Sequence, residues 1–258
     1  MNDLKKRVLA KTPTYGAWLQ FASANVTEAL VATGFPLVLI DNEHAGASLE
    51  TTLAMMRAAE ANGGEVIVRV PSSDPIYLKR IMELGPSGLL VPQVDTAEEA
   101  AATVAACLYP PHGRRGFART VRASRYGQIA NYAKEAHKDL TIMVQIETGE
   151  AVANAEAIAS VEGVDMLFIG PYDLSGAIDE LGATGSPVVL EAIAKVEAVA
   201  KAQNIALGTV PRANADAQTL FDLGYTLVLG ISDIGALRNG LAVEAKAVPE
   251  SARLIKAG

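Results

Sequence analysis

The chain has 258 residues, half of them hydrophobic and a fifth charged, with a formal net charge of −7 at pH 7. This length fits one large α/β barrel or two small domains, and the acidic balance argues against non-specific nucleic-acid binding, which needs a basic face. No apolar run approaches the ~20 residues of a membrane span and the charged N-terminus lacks a signal-peptide core, so we expect a cytoplasmic protein without nucleic-acid or membrane partners.

Short apolar or β-branched runs alternate with longer amphipathic stretches along the whole chain. Each run is nearly continuous in apolar character, which is typical of parallel strands covered by helices. Eight strands are predicted, at residues 15–21, 37–40, 66–70, 88–91, 141–146, 166–169, 206–210 and 227–229.

The stretches between these strands carry helix boundary signals. Asp74 and Pro75 predict a helix start with proline at the first helical position, and Gly85 predicts its end. Thr96 and Glu99 have the spacing of a capping box, which predicts another start. Further helices are predicted to start at residue 25 and to span residues 49–61, 188–203 and 214–223.

Eight strand–helix units in a chain of this length predict a single (β/α)8 TIM barrel over residues 1–258. A doubly wound open sheet is the alternative. No linker, low-complexity tract or charge block marks a second domain. Residues 110–132 and 172–187 are predicted to be long loops, and long loops in a compact domain are usually functional.

The active site of such a barrel lies at the carboxyl ends of its strands, and polar residues follow the apolar strands at that end each time. They are Asp41, Asn42, Glu43 and His44 after the second strand, Arg69 at the third, Gln93 at the fourth, Gln145 and Glu147 at the fifth, and Gly170, Pro171, Tyr172 and Asp173 after the sixth.

These residue types indicate a particular chemistry. Glu147 and Asp173 come from adjacent strands, and two carboxylates with open positions suit Mg²⁺ or Mn²⁺. Arg69 would be a fixed cation for an oxyanion such as an enolate. His44 would be the acid–base group, with the Asp41 carboxylate orienting its imidazole. A metal, a cation and a base around a small anion predict enolisation of a 2-oxo acid.

Each of these residues also has a structural interpretation, which the sequence leaves open. His44 could be an ordinary loop histidine, and Arg69 could simply pair with Glu43. Glu147 could favour the N-terminus of the next helix, and Asp173 could cap one.

Seven short motifs occur in chain order between about residues 14 and 240. They are Asp41-x-Glu-His44, Val68-Arg-Val-Pro71, Leu89-Leu-Val-Pro92, Arg115-Gly116, Arg122-Ala-x-x-Tyr126-Gly127, Gln145-Ile-Glu147 and Gly170-Pro-x-Asp-Leu-Ser175. Together they resemble the HpcH/HpaI aldolases, a family of class II metal-dependent pyruvate aldolases that includes 4-hydroxy-2-oxoheptanedioate and 2-dehydro-3-deoxyglucarate aldolases.

The resemblance implies a lyase that reversibly cleaves 4-hydroxy-2-oxo acids to pyruvate and an aldehyde through a metal-bound pyruvate enolate. Glu147 and Asp173 would be the ligands of Mg²⁺, Mn²⁺ or Co²⁺. Arg69 would stabilise the enolate, and His44, partnered by Asp41, would act as base. The substrate-binding residues would be Gln145, Gly170, Pro171, Tyr172 and Arg69.

The family resemblance also implies an oligomer, most simply a hexamer, with the C-terminal helix packed on a neighbouring subunit. Glu83 would reach into the neighbour's site. Tyr172 departs from the family pattern, because small residues often hold this position. The shape of the aldehyde pocket is therefore left open.

Three alternative functions remain. A β-keto-acid decarboxylase acting on oxaloacetate would use the same enolate but would need no base such as His44. A barrel for a phosphorylated substrate would bind phosphate after the seventh and eighth strands, where Arg212 would help and Asp233 would repel. A non-catalytic barrel that binds a 2-oxo acid is the third.

A cluster of arginines follows the fourth helix, and we expect it to lie over the barrel mouth. It comprises Arg114, Arg115, Arg119, Arg122 and Arg125. Such a concentration of positive charge predicts a preference for aldehydes that bear a distal carboxylate. The alternative is that these arginines hold the loop by pairing with acidic residues.

Overall fold

Eight parallel strands form the centre of the protein, in a computed structural model that describes residues 2–249. Each strand pairs with the next, and the eighth pairs with the first to close a barrel. The strands are β1 (Thr14–Leu19), β2 (Leu37–Asp41), β3 (Glu65–Arg69), β4 (Gly88–Val91), β5 (Thr141–Ile146), β6 (Met166–Ile169), β7 (Ala206–Thr209) and β8 (Leu227–Ser232).

Helices follow the strands and cover the outside of the barrel. They are α1 (Asp3–Leu9), α2 (Ala24–Ala32), α3 (Leu49–Ala61), α4 (Pro75–Leu84), α5 (Ala97–Cys107), α6 (Tyr132–Glu135), α7 (Gly149–Ala153), α8 (Ala155–Ala159), α9 (Pro171–Ala177), α10 (Pro187–Ala202), α11 (Ala217–Asp222) and α12 (Asp233–Ala247). Within residues 2–249, no helix is long and apolar enough to cross a membrane.

The closed barrel confirms the predicted fold, and the doubly wound alternative is wrong. The eight predicted strands match the observed ones, with shifts of at most a few residues at their ends. The predicted loop at 172–187 is partly wrong, because α9 starts at Pro171, directly after β6. Proline at the first helical position needs no backbone N–H there, so it starts this helix at once.

The predicted helix caps at α4 and α5 are confirmed. The Asp74 carboxylate accepts hydrogen bonds from the backbone N–H groups of Ile76 and Tyr77, and Gly85 ends α4 with a left-handed φ of 78°. Thr96 and Glu99 form the capping box of α5. Each cap satisfies backbone groups that a helix end leaves without intrahelical partners.

Side chains on each strand alternate between the barrel interior and the helical layer. On β2, Leu37 and Leu39 belong to the inner core, whereas Val38 and Ile40 belong to the outer core that packs against the helices. This alternation follows from the two-residue period of a strand. Both layers are apolar, which explains why the strands look continuously hydrophobic in the sequence.

Helix α1 closes the barrel at the amino-terminal ends of the strands. Its Leu4 and Val8 join the inner core. Lys5 Nζ donates a hydrogen bond to the backbone oxygen of Leu140 at 2.9 Å and also pairs with the buried carboxylate of Asp165. Both partners lie just before strands, so α1 is fixed to that end by apolar contacts and by an ion pair.

The arginine cluster lies at the same end, so the prediction that it covers the barrel mouth is wrong. Arg122 Nη1 donates to the backbone oxygen of Leu84, at the end of α4, at 2.5 Å. The same guanidinium pairs with Glu60 near the end of α3. A segment that connects a helix to the next strand returns to the amino-terminal ends of the strands, opposite the expected site.

Candidate active site

The candidate site follows from the strand alternation. On β2, Asp41 lies two residues after Leu39 and therefore faces the barrel interior. On β5 and just beyond it, Gln145 and Glu147 continue the inward-facing positions of Met143. At the carboxyl ends of these strands, polar side chains thus replace apolar ones on the inner face, where no apolar layer lies above them.

Asp41 and Arg69 form a bidentate ion pair in the centre of the site. They are register partners on β2 and β3. Arg69 Nε donates to Asp41 Oδ1 at 3.0 Å and Nη2 donates to Oδ2 at 2.7 Å. Burial by itself would raise the pKa of Asp41, but the hydrogen bonds and charge of Arg69 outweigh it and lower that pKa. Asp41 is therefore ionised and holds Arg69 in a fixed orientation.

Trp18, on β1, supports this pair from a third strand. Its indole Nε1 donates to Asp41 Oδ2 at 3.1 Å. The guanidinium carbon of Arg69 lies 4.6 Å from the centre of the indole ring, within the range of a cation–π contact. The sequence analysis did not single out Trp18, although its place near the carboxyl end of β1 was a usable signal.

Glu43 also pairs with Arg69, as the structural interpretation of that arginine required. Arg69 Nη1 lies 2.8 Å from Glu43 Oε2. Burial raises the pKa of Glu43, while Arg69 and His44 lower it and the nearby Asp41 and Asp173 carboxylates raise it further. Arg69 thus carries two carboxylates and still lines the cavity described below.

His44 lies at the rim of the site, but Asp41 does not orient its imidazole as expected. Asp41 Oδ1 instead accepts hydrogen bonds from the backbone N–H groups of Glu43 at 3.0 Å and His44 at 3.2 Å. The carboxylate nearest the ring belongs to Glu43, whose Oε1 lies 3.9 Å from His44 Nε2. Aspartate hydrogen-bonds readily to backbone groups two and three residues on, so it shapes the turn rather than the ring.

Glu147 is buried and does not cap the helix that follows it. Its Oε1 accepts from the backbone N–H of Gln93 at 2.8 Å, and its Oε2 accepts from the side-chain amide of Gln145. Thr148 caps α7 instead. Burial is the largest cause that raises the pKa of Glu147 to about 7, and the carboxylate of Asp173 adds to it.

Gly170 allows the end of β6 to approach this carboxylate. A Cβ at Gly170 would lie 2.7 Å from Glu147 Oε2 and 3.1 Å from Gln145 Nε2. Pro171 then starts α9, and Asp173 lies in its first turn without a side-chain hydrogen bond that caps the helix. The structure therefore brings Asp173 to the same cavity as Gln145, with its carboxylate available.

These groups fit a hard divalent cation. Glu147 and Glu43 are desolvated carboxylates, the charge of Asp173 raises the pKa of both, and a cation beside these groups would offset their repulsion. Gln145 Oε1 is buried without a hydrogen-bond partner, so an oxygen ligand is available as well. Within the described part of the chain, no three His, Cys, Asp or Glu side chains form a ready metal-binding group. Water and substrate oxygens would complete the coordination.

A cavity of about 440 Å³ opens at the carboxyl ends of the strands and contains most of the predicted site. Among the lining residues, Arg69 and Gln145 are buried, and Asp173 and His44 are exposed and lie nearer the opening. Three other cavities of about 440 Å³ lie near the amino-terminal ends of the strands, and none is lined by a predicted site residue.

Two expectations concern residues outside this cavity. Glu83 lies near the end of α4, at the amino-terminal side of the barrel, so a single subunit does not bring it into the site. The Asp233 carboxylate accepts from the backbone N–H groups of Gln20 and Phe21, and Arg212 pairs with Glu197 at 3.4 Å. Both residues proposed for the phosphate alternative therefore have structural partners.

Comparison with known proteins adds an independent observation. A family model described as HpcH/HpaI aldolase/citrate lyase matches residues 14–239. The 5-keto-4-deoxy-D-glucarate aldolase of Salmonella paratyphi C (strain RKS4594) is 38% identical over 237 residues, which cover 92% of this chain and 93% of that protein.

Two solved structures share the fold over nearly their whole length. The HpcH/HpaI aldolase/citrate lyase family protein of Burkholderia cenocepacia J2315 superposes with a TM-score of 0.92 at 33% identity, covering 96% of this chain and 99% of its own. The HpcH/HpaI aldolase of Desulfitobacterium hafniense DCB-2 gives a TM-score of 0.87 at 28% identity, covering 96% and 98%. The matched region includes every residue of the candidate site.

Proposed function

Because the chain belongs to the HpcH/HpaI aldolase/citrate lyase family, it is a carbon–carbon lyase, and we propose that it reversibly cleaves 4-hydroxy-2-oxo acids to pyruvate and an aldehyde with the help of a divalent metal. The observation that carries this proposal is the placement of Arg69 beside the buried carboxylate of Glu147, with Asp173 and His44 on the same cavity.

Glu147 and Asp173 would hold the metal, with the free amide oxygen of Gln145 beside them. Mg²⁺, Mn²⁺ and Co²⁺ all accept such oxygen ligands. When bound, the metal would act as a Lewis acid on the 2-oxo group. Gly170 would leave room for the substrate carboxylate, with the start of α9 at Pro171 behind it.

Arg69 would stabilise the charge that develops during cleavage. As the C3–C4 bond breaks, its electron pair moves through C2 to the 2-oxo oxygen and forms the pyruvate enolate. The Asp41 carboxylate and the Trp18 ring already fix the guanidinium, so no side-chain ordering is needed at this step. Such a pre-oriented cation in a buried site stabilises an oxyanion strongly.

His44 would take the proton of the 4-hydroxyl group as the aldehyde forms. Its imidazole is on the cavity and more than half exposed, so a substrate hydroxyl can reach it. Glu43, 3.9 Å away, would stabilise the resulting imidazolium. A proton returned to C3 of the enolate then gives pyruvate, so the proton taken from the hydroxyl group is accounted for.

The expectations about location and assembly belong to the same proposal. We propose a cytoplasmic homo-oligomer, with α12 packed on a neighbour and Glu83 near the neighbour's site. What supports the contact is the exposure of Leu237 (51%) and Leu241 (58%) on α12, four residues apart and therefore on one side of the helix.

The test is pyruvate release from a 4-hydroxy-2-oxo acid, measured after treatment with a chelator and after addition of Mg²⁺, Mn²⁺ or Co²⁺. We expect activity to disappear in the chelator and to return with metal. Among the described residues that line the cavity there is no lysine, so borohydride should trap no Schiff base with pyruvate. Full activity in the chelator would contradict the proposal.

A further inference from the structure

The outer part of the active-site cavity, near Gln20, Tyr172 and Ser232, is lined by polar groups that are distinct from those around Arg69. This inference rests on the proposed function, because that part of the cavity would hold the acceptor aldehyde. Three of the five N–H groups of Arg69 are directed at Asp41 and Glu43, and the proposed function assigns the others to the enolate, so none remains for a second carboxylate of the substrate. Its Nε and Nη2 donate to Asp41, and its Nη1 is 2.8 Å from Glu43.

Gln20 presents a neutral amide to this outer part. It directly follows β1, and its backbone N–H donates to both carboxylate oxygens of Asp233, at 3.0 and 3.1 Å. These bonds fix the backbone beside the cavity. Within residues 2–249, its side-chain amide forms no hydrogen bond, so it can donate to and accept from a ligand.

Ser232 and Tyr172 add two hydroxyl groups to the same lining. Ser232 Oγ accepts from the backbone N–H of Gly235 at 3.0 Å, which leaves its own O–H free to donate. Tyr172 lies in the first turn of α9 and is 58% exposed. An amide and two hydroxyls of this kind match the hydroxyl groups of a ligand.

The charges around these three groups disfavour a carboxylate. Asp173 would be neutralised by the metal that it is proposed to hold, so the anion nearest these groups is the buried carboxylate of Asp233, which lies against the backbone of Gln20. No lysine and no arginine besides Arg69 is among the described residues that line the cavity, and Arg212, after β7, pairs with Glu197 with its side chain only 5% exposed. The arginine cluster is at the opposite end of the barrel.

We propose that Gln20, Tyr172 and Ser232 form an acceptor subsite that selects uncharged hydroxyaldehydes over aldehydes that carry a carboxylate. Neutral hydrogen-bonding groups gain most from a ligand hydroxyl, and a site built for a hydroxyl discriminates against ligands that lack one. A carboxylate in this subsite would meet neutral groups and the nearby Asp233 carboxylate, with no cation apart from Arg69 among the described lining residues. This selectivity is the opposite of the preference for carboxylate-bearing aldehydes that the arginine cluster suggested in the sequence.

The experiment compares three aldehydes with the same three-carbon chain, each with pyruvate and metal: glyceraldehyde, propanal and 2-hydroxy-3-oxopropanoate. We expect kcat/KM to be highest for glyceraldehyde at both low and high salt. Gln20→Leu should lower kcat/KM for glyceraldehyde about fivefold, the usual effect of losing one neutral hydrogen bond, and should leave propanal unchanged.

Tyr172→Phe should act in the same direction, and Tyr126→Phe is the matched control because Tyr126 is 60% exposed but lies in the arginine-rich segment. Equal or better use of 2-hydroxy-3-oxopropanoate by the wild-type protein would overturn the subsite. An unchanged ratio of glyceraldehyde to propanal in Gln20→Leu would also overturn it.

Exchange of the pyruvate methyl protons in D₂O, without any aldehyde, separates the two proposals. If exchange occurs and the carboxylate-bearing aldehyde is preferred, the subsite is wrong and the aldolase function stands. If pyruvate does not exchange in the presence of metal, the proposed function fails and the subsite fails with it.

Discussion

Glu147 combines deep burial with two neighbouring carboxylates, and this has a measurable consequence in the metal-free protein. Burial first, then Asp173 and Glu43, raise its pKa from 4.5 to about 7. A pKa that is higher in the folded state adds stability at low pH, which is lost as the pH rises through the folded value. We expect the melting temperature to fall as the pH rises from about 5 to about 8.

Glu147→Gln should reduce this pH dependence, whereas Glu150→Gln, at an exposed position three residues further along the chain, should leave it unchanged. Saturating Mg²⁺ should weaken or reverse the trend, because the metal binds the ionised form. A melting temperature that rises steadily over this pH range without metal would show that Glu147 is not the buried acid inferred here.

His44 and Arg69 are expected to separate in their effects on two reactions. His44→Ala should reduce aldol cleavage by ~10²–10⁴-fold, the usual scale for a general base, and should affect oxaloacetate decarboxylation less. Arg69→Ala should impair both reactions, since both form an enolate. His112→Ala, far from the cavity, is the control. Equal losses of both activities in His44→Ala would refute its role as the hydroxyl base.

At this scale, the sequence predicted which residues meet but not how they pair. Asp41, Arg69, Gln145 and Glu147 all fall at inward positions of strand ends, which the two-residue strand period makes predictable. The partner of the His44 ring was not predictable. The Asp41 carboxylate has two oxygens, and the sequence does not show which nearby N–H groups compete for them or which of these groups is preferred.

At the scale of elements, the junction between β6 and α9 controls how closely the backbone approaches the candidate metal ligand Glu147. Gly170→Ala would place a Cβ 2.7 Å from Glu147 Oε2, so Glu147 or the backbone must shift. We expect at least a tenfold loss of Mn²⁺ affinity with the fold retained, a loss typical of disturbing the surroundings of metal ligands. Calorimetric titration with Mn²⁺ would measure it.

Gly149→Ala is the matched control, because a Cβ there meets its nearest neighbour at an ordinary 3.6 Å and the position begins α7 at the same end of the barrel. Equal Mn²⁺ affinity in both variants and the wild type would show that the close approach at Gly170 is unimportant.

The elements themselves were largely predictable, since apolar runs and helix caps are local signals. Strand β5 and the start of α4 match their predictions to the residue. The side of the barrel on which the arginine cluster lies was predicted wrongly. Its charges suggested a site, but the alternation of strands and helices decides which end of the barrel a connection reaches.

At the scale of the whole molecule, α12 is the least covered of the long helices. Of its described residues, only Asp233 is buried. We expect that replacing both Leu237 and Leu241 with glutamate weakens assembly, measured by sedimentation, because each would introduce a charge into an apolar contact. Leu181→Glu is the control, since Leu181 is 86% exposed and outside α12.

A wild-type protein that sediments as a monomer and is fully active would refute the proposed assembly and the role of Glu83. If the protein is an oligomer, Glu83→Ala should lower activity without changing sedimentation. A loss of activity in that variant could not arise within one subunit, where α4 ends on the far side of the barrel.

Because α1 closes the barrel at the amino-terminal ends of the strands, it limits the routes by which substrates and products enter and leave the site. With Leu4 and Val8 filling that end, the described residues 2–249 leave the interior open at the carboxyl ends of the strands. Pyruvate beside Arg69 would lie beneath an aldehyde at Tyr172, so the aldehyde must depart first and pyruvate last. In product-inhibition kinetics, pyruvate should then compete with the hydroxy-oxo acid, and the aldehyde should inhibit non-competitively. The reverse pattern would require a second exit that the plugged barrel does not offer.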